Sequence, residues 1–251
     1  MARVEVDGVG IHYDVTGKGR PVLLIHGFPD TGRLWRHQVP ALAAAGFKVI
    51  VPDLRGYGRS DKPASAENYA LPFLAGDMLG VLADAGEPRA HVVGHDWGAA
   101  VAWGLGSLAP DNVDHLTVLS VGFPTTFLST LEQYEKSWYM LLFQFPGVAE
   151  RWLTEDNWAN FRHWGGHPDG DQVIAELEAN GSLTPGLNWY RANIGPDSWA
   201  GPPLQLPPVQ PPAMGVWSTG DFALSEEWEH RLYAERDFDV LDARSAGQEV
   251  Q

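Results

Sequence analysis

The chain has 251 residues, a formal net charge of −15 and no cysteine. This length suits one α/β domain with room for an insertion. The acidic balance repels phosphate groups, so we expect neither nucleic acid nor an anionic membrane as a partner, and the lack of cysteine excludes a disulfide scaffold, a zinc–thiolate site and a thiol nucleophile.

The sequence carries no apolar run near the roughly 20 residues that a membrane-spanning helix needs. Its first residues, Met1-Ala2-Arg3-Val4-Glu5, lack the apolar segment of a signal peptide. We therefore expect a cytoplasmic protein.

Strand-like and helix-like segments alternate through the first half of the chain. Residues 4–6 and 11–15 flank a glycine-containing turn and predict a hairpin. Short, largely apolar runs, typical of strands buried on both faces, lie at residues 21–25, 47–51, 90–94 and 116–121. Helical spacing occurs at residues 34–45, 69–85 and 97–108. This order predicts an α/β fold with a mostly parallel, doubly wound sheet.

The alternation stops after Phe123-Pro124. Residues 125–208 are rich in tryptophan and helix-like, and no buried strand pattern occurs among them. A proline cluster then leads to residues 213–217, which again have a strand pattern, and residues 238–242 are expected to form the last strand. We therefore predict a core of residues 1–124 and 209–251, interrupted by a helical cap of residues 125–208. Tryptophan suits a lid over a pocket because most of its surface is apolar.

The motif Gly94-His95-Asp96-Trp97-Gly98 joins a predicted strand to a predicted helix. It has the small-X-nucleophile-X-small pattern of a nucleophile elbow, with aspartate in the nucleophile's place. Such a turn would lift the Asp96 carboxyl group above the sheet edge at a helix N-terminus, where the helix dipole favours a carboxylate. The plainer alternative is that Asp96 only caps the helix. We expect the side chain of His95 to point away from the site.

The segment His26-Gly27-Phe28-Pro29 follows another buried strand. A loop at the carboxyl end of a neighbouring strand can direct a backbone N–H at the reacting centre. We predict that the N–H groups of Phe28 and Trp97 form an oxyanion hole, and that His26 props this loop from the core. The glycine-rich segment 53–63 lacks the Gly-Lys-Ser/Thr ending of a phosphate loop, so we expect it to be scaffold.

Together the His26–Pro29 segment, Trp35-Arg36-His37-Gln38, the 53–63 loop and the Gly94–Gly98 elbow resemble the epoxide hydrolases of the α/β-hydrolase superfamily. The likeness runs from near the N-terminus to about residue 225. It implies the α/β-hydrolase fold with an inserted helical cap, an aspartate nucleophile, a small hydrophobic epoxide-type substrate, and neither cofactor nor metal. An aspartate at the elbow also occurs in the haloalkane and haloacid dehalogenases of this fold.

The resemblance also implies two cap tyrosines that hold the epoxide oxygen. Ser137-Trp138-Tyr139 and Asn188-Trp189-Tyr190 are similar to the family's tyrosine segments, so Tyr139 and Tyr190 are the candidates. We expect Trp138, Trp189 and Pro29 to line the substrate pocket with them. The alternative is that each tyrosine only packs inside the cap.

Asp221 follows the predicted strand of residues 213–217 and resembles the acid that orients the family's catalytic histidine; otherwise it is a turn residue. The family places that histidine in a loop well past the acid, but residues 239–251 contain none. His230, in a helix-like stretch, is the one histidine after Asp221. We therefore expect a C-terminus that is truncated or altered relative to the family, with the catalytic histidine not found.

Three functions follow from these motifs. In the first, Asp96 attacks an epoxide carbon to give an alkyl-enzyme ester, which water hydrolyses to a diol in a step that the missing histidine impairs. In the second, a dehalogenase, Trp97 and either Trp138 or Trp189 would hold the halide. In the third, a non-hydrolytic binding or biosynthetic helper protein, the cap pocket would bind a hydrophobic molecule. The substrate's identity and the oligomeric state cannot be derived from the sequence.

Overall fold

The computed structural model of the chain describes residues 1–202, 204–218 and 220–225, and the backbone of residues 239–242. The described strands form one eight-stranded sheet in the order β1-β2-β4-β3-β5-β6-β7-β8. Their bounds are β1 Ala2–Val6, β2 Val9–Gly17, β3 Arg20–Ile25, β4 Phe47–Pro52, β5 Ala90–His95, β6 Val113–Leu119, β7 Ala213–Trp217 and β8 Asp239–Asp242. Strands β1 and β2 form the predicted hairpin, and β2 runs antiparallel to β4. All neighbours from β4 to β8 are parallel, which confirms the predicted fold class.

The order in which the chain adds strands to the sheet changes direction at β3. The chain passes from β3 to β4 on one side and later returns to place β5 on the other side. The carboxyl ends of β3 and β5 therefore open into one crevice, the topological switch point where ligands bind in open α/β sheets. The His26–Pro29 loop and Asp96 leave the sheet at this point.

Three helices follow the first strands, and further helices lie between β6 and β7. The first three are α1 Gln38–Ala44, α2 Leu71–Asp84 and α3 Trp97–Leu108. The others are α4 Leu131–Lys136, α5 Trp138–Phe143, α6 Val148–Gly165, α7 Gly170–Asn180 and α8 Leu183–Asn193. Helix α6 is interrupted at Glu155–Trp158, where the backbone leaves helical angles. All five of these later helices fall inside the segment predicted as a cap; the division into cap and core stays a prediction.

Two predicted helices begin later than expected. The helix expected at 34–45 is a 3₁₀ turn, Gly32–Trp35, followed by α1 from Gln38. The helix expected at 69–85 begins at Leu71. Each contains a proline, Pro40 or Pro72, which lacks an N–H and clashes with the preceding turn anywhere but in the first turn of a helix. The helix therefore has to begin just before its proline.

The 53–63 loop is held by buried polar contacts, as a scaffold loop would be. The Arg55 guanidinium donates to both carboxylate oxygens of Asp77 in α2, each at 2.6 Å, and these side chains are 2% and 1% exposed. Nε2 of His26 accepts from the N–H of Leu54 at 3.0 Å. His26 is fully buried, and its Nδ1 lies 3.0 Å from the carbonyl oxygen of Gly27, so it props the His26–Pro29 loop from the core as predicted.

Candidate active site

Asp96 occupies the tip of a sharp bend between β5 and α3. Its backbone has φ 54° and ψ −125°, a region that non-glycine residues rarely adopt. The bend also brings backbone against backbone. A Cβ added to Gly94 would lie 2.2 Å from the carbonyl oxygen of Gly98, and one added to Gly98 would lie 2.2 Å from that of Ile25. The small residues of the motif are therefore required by close contact, as a nucleophile elbow demands.

The two predicted oxyanion donors converge on the carboxyl group of Asp96 itself. The N–H of Phe28 donates to Oδ1 of Asp96 at 2.7 Å, and the backbone N–H of Trp97 also bonds this carboxylate. A Cβ at Gly27 would lie 2.2 Å from the same Oδ1, so glycine is needed there. Two donors fixed on one carboxyl group can stabilise negative charge on it, whether it is a carboxylate or a tetrahedral oxyanion.

Burial raises the pKa of Asp96 to about 7. The hydrogen bonds from Trp97 and Phe28 act in the opposite sense, and the charges of Asp30 and Asp221 add to the rise. Removal of the carboxylate from water destabilises its charged form more than the two N–H donors stabilise it. The group is a poorly solvated carboxylate, which is a stronger nucleophile than one at the surface.

Tyr139 in α5 and Tyr190 in α8 lie side by side over the elbow. Their ring centroids are 6.1 Å apart, and Tyr190 stands edge-on to Trp97 at 5.1 Å. Both tyrosines are buried. Burial, and after it the charge of Asp96, raises the pKa of each phenol well above its usual value. Both therefore stay protonated at neutral pH and can donate a hydrogen bond.

A cavity of about 860 Å³ joins these groups. Seven of the predicted site residues line it: Phe28, Pro29, Asp96, Trp97, Tyr139, Tyr190 and Asp221. The prediction that Trp138 and Trp189 line the pocket is wrong. Trp138 is 47% exposed, and Trp189 is fully buried behind the wall, where its indole N–H donates to the carbonyl oxygen of Arg55 at 3.2 Å. In each of these two segments it is the next residue, the tyrosine, that lines the cavity.

Asp221 lies in a turn at the cavity edge. One oxygen, Oδ1, accepts the N–H groups of Ala223 at 2.8 Å and Leu224 at 3.0 Å. The turn is held from the cap, because Nζ of Lys136 donates to the carbonyl oxygens of Asp221 at 2.6 Å and Leu224 at 2.9 Å. Gln133 reinforces this contact through the carbonyl oxygen of Ala223 at 3.0 Å. Asp221 is thus a turn residue that also faces the cavity.

His95 lines the cavity, so the expectation that it points away is wrong. Its Nδ1 is buried and has no hydrogen-bond partner among the described residues. Burial lowers the pKa of His95, against the opposite influence of Asp30 and Asp221. His230 lies outside the described residues.

His167 is a site residue that the sequence did not reveal. Its Nε2 lies 3.3 Å from Oδ2 of Asp30, and its Nδ1 accepts the N–H of Asp169 at 3.0 Å. This pair joins the connection between α6 and α7 to the loop after β3 at the cavity wall. Because the two residues are 137 positions apart, no local pattern could have linked them.

No metal-binding cluster of three or more His, Cys, Asp or Glu side chains occurs within the described ranges. In the same ranges, no helix combines the length and the apolarity of a membrane span.

Known proteins match this chain along most of its length. The alpha/beta hydrolase fold family matches residues 20–192. The AB hydrolase superfamily protein YfhM of Bacillus subtilis is 32% identical over 204 residues, which are 75% of this chain and 71% of that protein. Epoxide hydrolase A of Mycobacterium tuberculosis is 41% identical over 182 residues, or 68% of this chain and 56% of that enzyme. The chain thus spans little more than half the length of the second relative.

Solved structures agree with this assignment. An epoxide hydrolase of Bacillus megaterium, solved with an inhibitor, superposes with a TM-score of 0.86 at 28% identity, covering 98% of this chain and 92% of that one. Epoxide hydrolase A of Mycobacterium thermoresistibile gives a TM-score of 0.77 at 29% identity, covering 96% and 88%. The chain belongs to the α/β-hydrolase fold family and is related, within it, to the epoxide hydrolases.

Proposed function

We propose that this chain is an epoxide hydrolase-like enzyme in which Asp96 is the nucleophile. The observation that carries the proposal is a single apolar cavity that Asp96, Tyr139 and Tyr190 all line. A carboxylate and two phenols are the groups that ring opening of an epoxide needs: one to attack carbon, the others to protonate the departing oxygen.

In the first step, a carboxylate oxygen of Asp96 attacks an epoxide carbon. The ring C–O bond breaks, and its electron pair stays on the ring oxygen. Tyr139 and Tyr190 donate hydrogen bonds to this oxygen as it becomes an alkoxide. One of the two phenols passes its proton to the alkoxide, and the phenolate left behind regains a proton from water. The product is a hydroxyalkyl ester of Asp96. The raised pKa of both phenols, due to burial, keeps their protons in place before the reaction.

In the second step, water attacks the carbonyl carbon of this ester. The N–H groups of Phe28 and Trp97 already bond the Asp96 carboxyl group, so they are placed to hold the oxyanion that forms on it. Asp221 is the candidate acid for orienting a base. The family's base, a histidine, has no match in residues 239–251. General-base catalysis contributes typically ~10²–10⁴-fold, so we expect this polypeptide to form the ester and to hydrolyse it slowly.

Incubation with styrene oxide tests the proposal. Intact-protein mass spectrometry should show the addition of one epoxide, and peptide mapping should place it on Asp96. Epoxide consumption, measured in parallel, should reach about one equivalent and then slow, whereas diol should appear only at the slow rate of ester hydrolysis. The Asp96→Ala variant serves as the control and should take up no epoxide. Labelling at another residue would contradict the role of Asp96, and rapid multiple turnover would contradict the impaired second step.

The contacts of two tryptophans argue against the dehalogenase alternative, which needs a second indole N–H to hold the halide. Trp189 already donates its indole N–H to the carbonyl oxygen of Arg55, and Trp138 does not line the cavity. Neither can therefore pair with Trp97 to hold a halide without rearrangement. Halide release from a haloalkane, with styrene oxide inert, would reverse this choice.

A further inference from the structure

The cavity continues well beyond the reactive groups, along one side of helix α3. Ala100, Gly104 and Leu108 line it at intervals of four residues, and thus on one face of that helix. The opposite wall comes from α2 and from the chain after α8, and it includes Leu71, Ala75, Ile194 and Leu206. We call this part of the cavity the α3 branch.

The α3 branch is long enough to select for chain length. Ala100 and Leu108 are eight positions apart on a helix, which corresponds to about 12 Å. An extended alkyl chain of roughly ten carbons has this length, at about 1.3 Å per bond. Leu108 and Leu204, which both line the cavity, are 53% and 51% exposed, so the branch reaches the surface at its far end.

The described walls of the branch are mainly apolar, although Ser198 lines the cavity on the chain after α8. Its one amide, Asn193, is already satisfied: Nδ2 donates to the carbonyl oxygens of Tyr69 and Trp189 at 2.9 and 2.8 Å, and Oδ1 accepts the N–H of Leu71 at 2.8 Å. A ligand in the branch therefore meets mainly hydrocarbon. Each methylene that it buries there adds hydrophobic stabilisation.

Acidic groups dominate the charges of the cavity. Its described lining contains Asp30, Asp96 and Asp221 but neither lysine nor arginine. The hydrogen bond to Asp30 raises the pKa of His167, but that histidine is already paired with Asp30 at 3.3 Å. A carboxylate on the ligand would therefore find no unpaired cationic partner and would be repelled by the acidic groups, at low dielectric. The cavity thus disfavours an anionic chain of the same length.

We propose that the α3 branch holds the unbranched, uncharged alkyl chain of a terminal epoxide, whose ring lies between Asp96 and the two tyrosines, and that Gly104 sets the accepted chain length. This deepens, and rests on, the proposed function. A Cβ added to Gly104 would meet only the side chain of Leu71, at 3.8 Å. A larger residue therefore enters the branch without displacing the helix backbone.

The test compares the rates at which three probes label Asp96. Intact-protein mass spectrometry measures these rates. The probes are epoxybutane and epoxyoctane, each with its ring at the chain end, and epoxyoctanoate, with its ring opposite the carboxylate. We expect epoxyoctane to label faster than epoxybutane by up to roughly fourfold for each added methylene. Epoxyoctanoate should label at least about tenfold more slowly than epoxyoctane, since its charge would be buried without a partner.

Gly104→Leu is the diagnostic variant, and Gly76→Leu is its matched control. Gly76 is also inside a helix, does not line the cavity, and has open space where a Cβ would be added. Gly104→Leu should slow epoxyoctane at least about tenfold, the worth of two buried methylenes, and leave epoxybutane unchanged. Gly76→Leu should change neither rate. Equal effects on both epoxides, or equal labelling by epoxyoctane and epoxyoctanoate, would overturn the proposal.

A binding experiment tests the α3 branch independently of the chemistry. It uses the unreactive vicinal diols of butane and octane, and tryptophan fluorescence monitors their binding. The octane diol should bind more tightly to the unsubstituted chain, and Gly104→Leu should remove this preference. If no epoxide labels Asp96 but the diols behave as expected, the proposed function fails and the branch stands. If the octane diol has no advantage, the branch assignment fails.

Discussion

The backbone N–H of Phe28 donates to Oδ1 of Asp96 across 2.7 Å, although the two residues are 68 positions apart in the chain. The contact exists because β3 and β5 are neighbours in the sheet and their carboxyl ends open at the same edge. It holds the carboxyl group in one orientation in the resting protein. In the proposed mechanism, the same N–H would be in place when that carboxyl group becomes an ester.

The strained backbone of Asp96 predicts a difference between two inactive variants. Asp96→Ala and Asp96→Gly both remove the carboxylate and leave the same N–H groups without it. Only glycine adopts φ 54°, ψ −125° without strain, which costs other residues roughly 1–3 kcal/mol. Asp96→Gly should therefore unfold at a temperature about 2–12 °C above Asp96→Ala. Differential scanning calorimetry measures this, and equal melting temperatures would show that the elbow is unstrained.

The pH dependence of labelling should follow the ionisation of Asp96. Burial raises its pKa to about 7, and only the carboxylate attacks an epoxide. Labelling should thus be slow in mild acid, rise with pH, and level off above a midpoint near pH 7. Asp30→Asn removes one of the negative charges that raise this pKa, so its midpoint should move to lower pH. A rate that is flat from pH 5 to 9, about two units either side of that midpoint, would argue against the shifted pKa.

The two cap tyrosines should each contribute to the first step. Tyr139→Phe or Tyr190→Phe removes one hydrogen bond to a developing alkoxide, worth about 1.5–3 kcal/mol. Each should slow the labelling of Asp96 by roughly 10- to 150-fold. Tyr57→Phe is the matched control, because Tyr57 is also buried but does not line the cavity. Its labelling rate should equal that of the unsubstituted chain. Full activity in both cap variants would assign these phenols to packing alone.

The ion pair between Arg55 and Asp77 should be important for stability. Both side chains are almost fully buried, and the two hydrogen bonds are 2.6 Å long. Asp77→Ala leaves a buried guanidinium without its partner, which costs about 3–5 kcal/mol. For a chain of this size that corresponds to a fall of very roughly 6–20 °C in the melting temperature.

The double variant Arg55→Met, Asp77→Leu separates the pair's own contribution from the cost of an orphaned charge. It removes both charges and fills the space with apolar groups, so it should be more stable than Asp77→Ala. Thermal unfolding of the three proteins checks this order. A double variant less stable than Asp77→Ala would show that the pair itself stabilises the fold.

Local sequence was sufficient to predict most of the helices and strands and to single out the elbow that carries Asp96. Strands β3 and β5 are short apolar runs because both faces of the sheet are covered. The Gly94–Gly98 motif is recognisable because its turn brings backbone within contact distance of backbone, which only small residues permit. The late starts of α1 and α2 follow equally local rules, since Pro40 and Pro72 can occupy only a first helical turn.

Whether a side chain faces solvent or the cavity depended on residues that are distant in the sequence. Trp138 and Tyr139 are adjacent, yet one faces solvent and the other the cavity. His95 lines the cavity, and His167 meets Asp30 from 137 residues away. The hydrophobic period and the residue propensities determine whether a segment is a helix or a strand and which residues share a face. Which surface each face contacts is decided only when distant segments pack together. For this protein the sequence alone determined the fold and singled out the carboxyl group that we propose as the nucleophile, whereas tertiary packing decided the cavity, its acidic lining and its branch along α3.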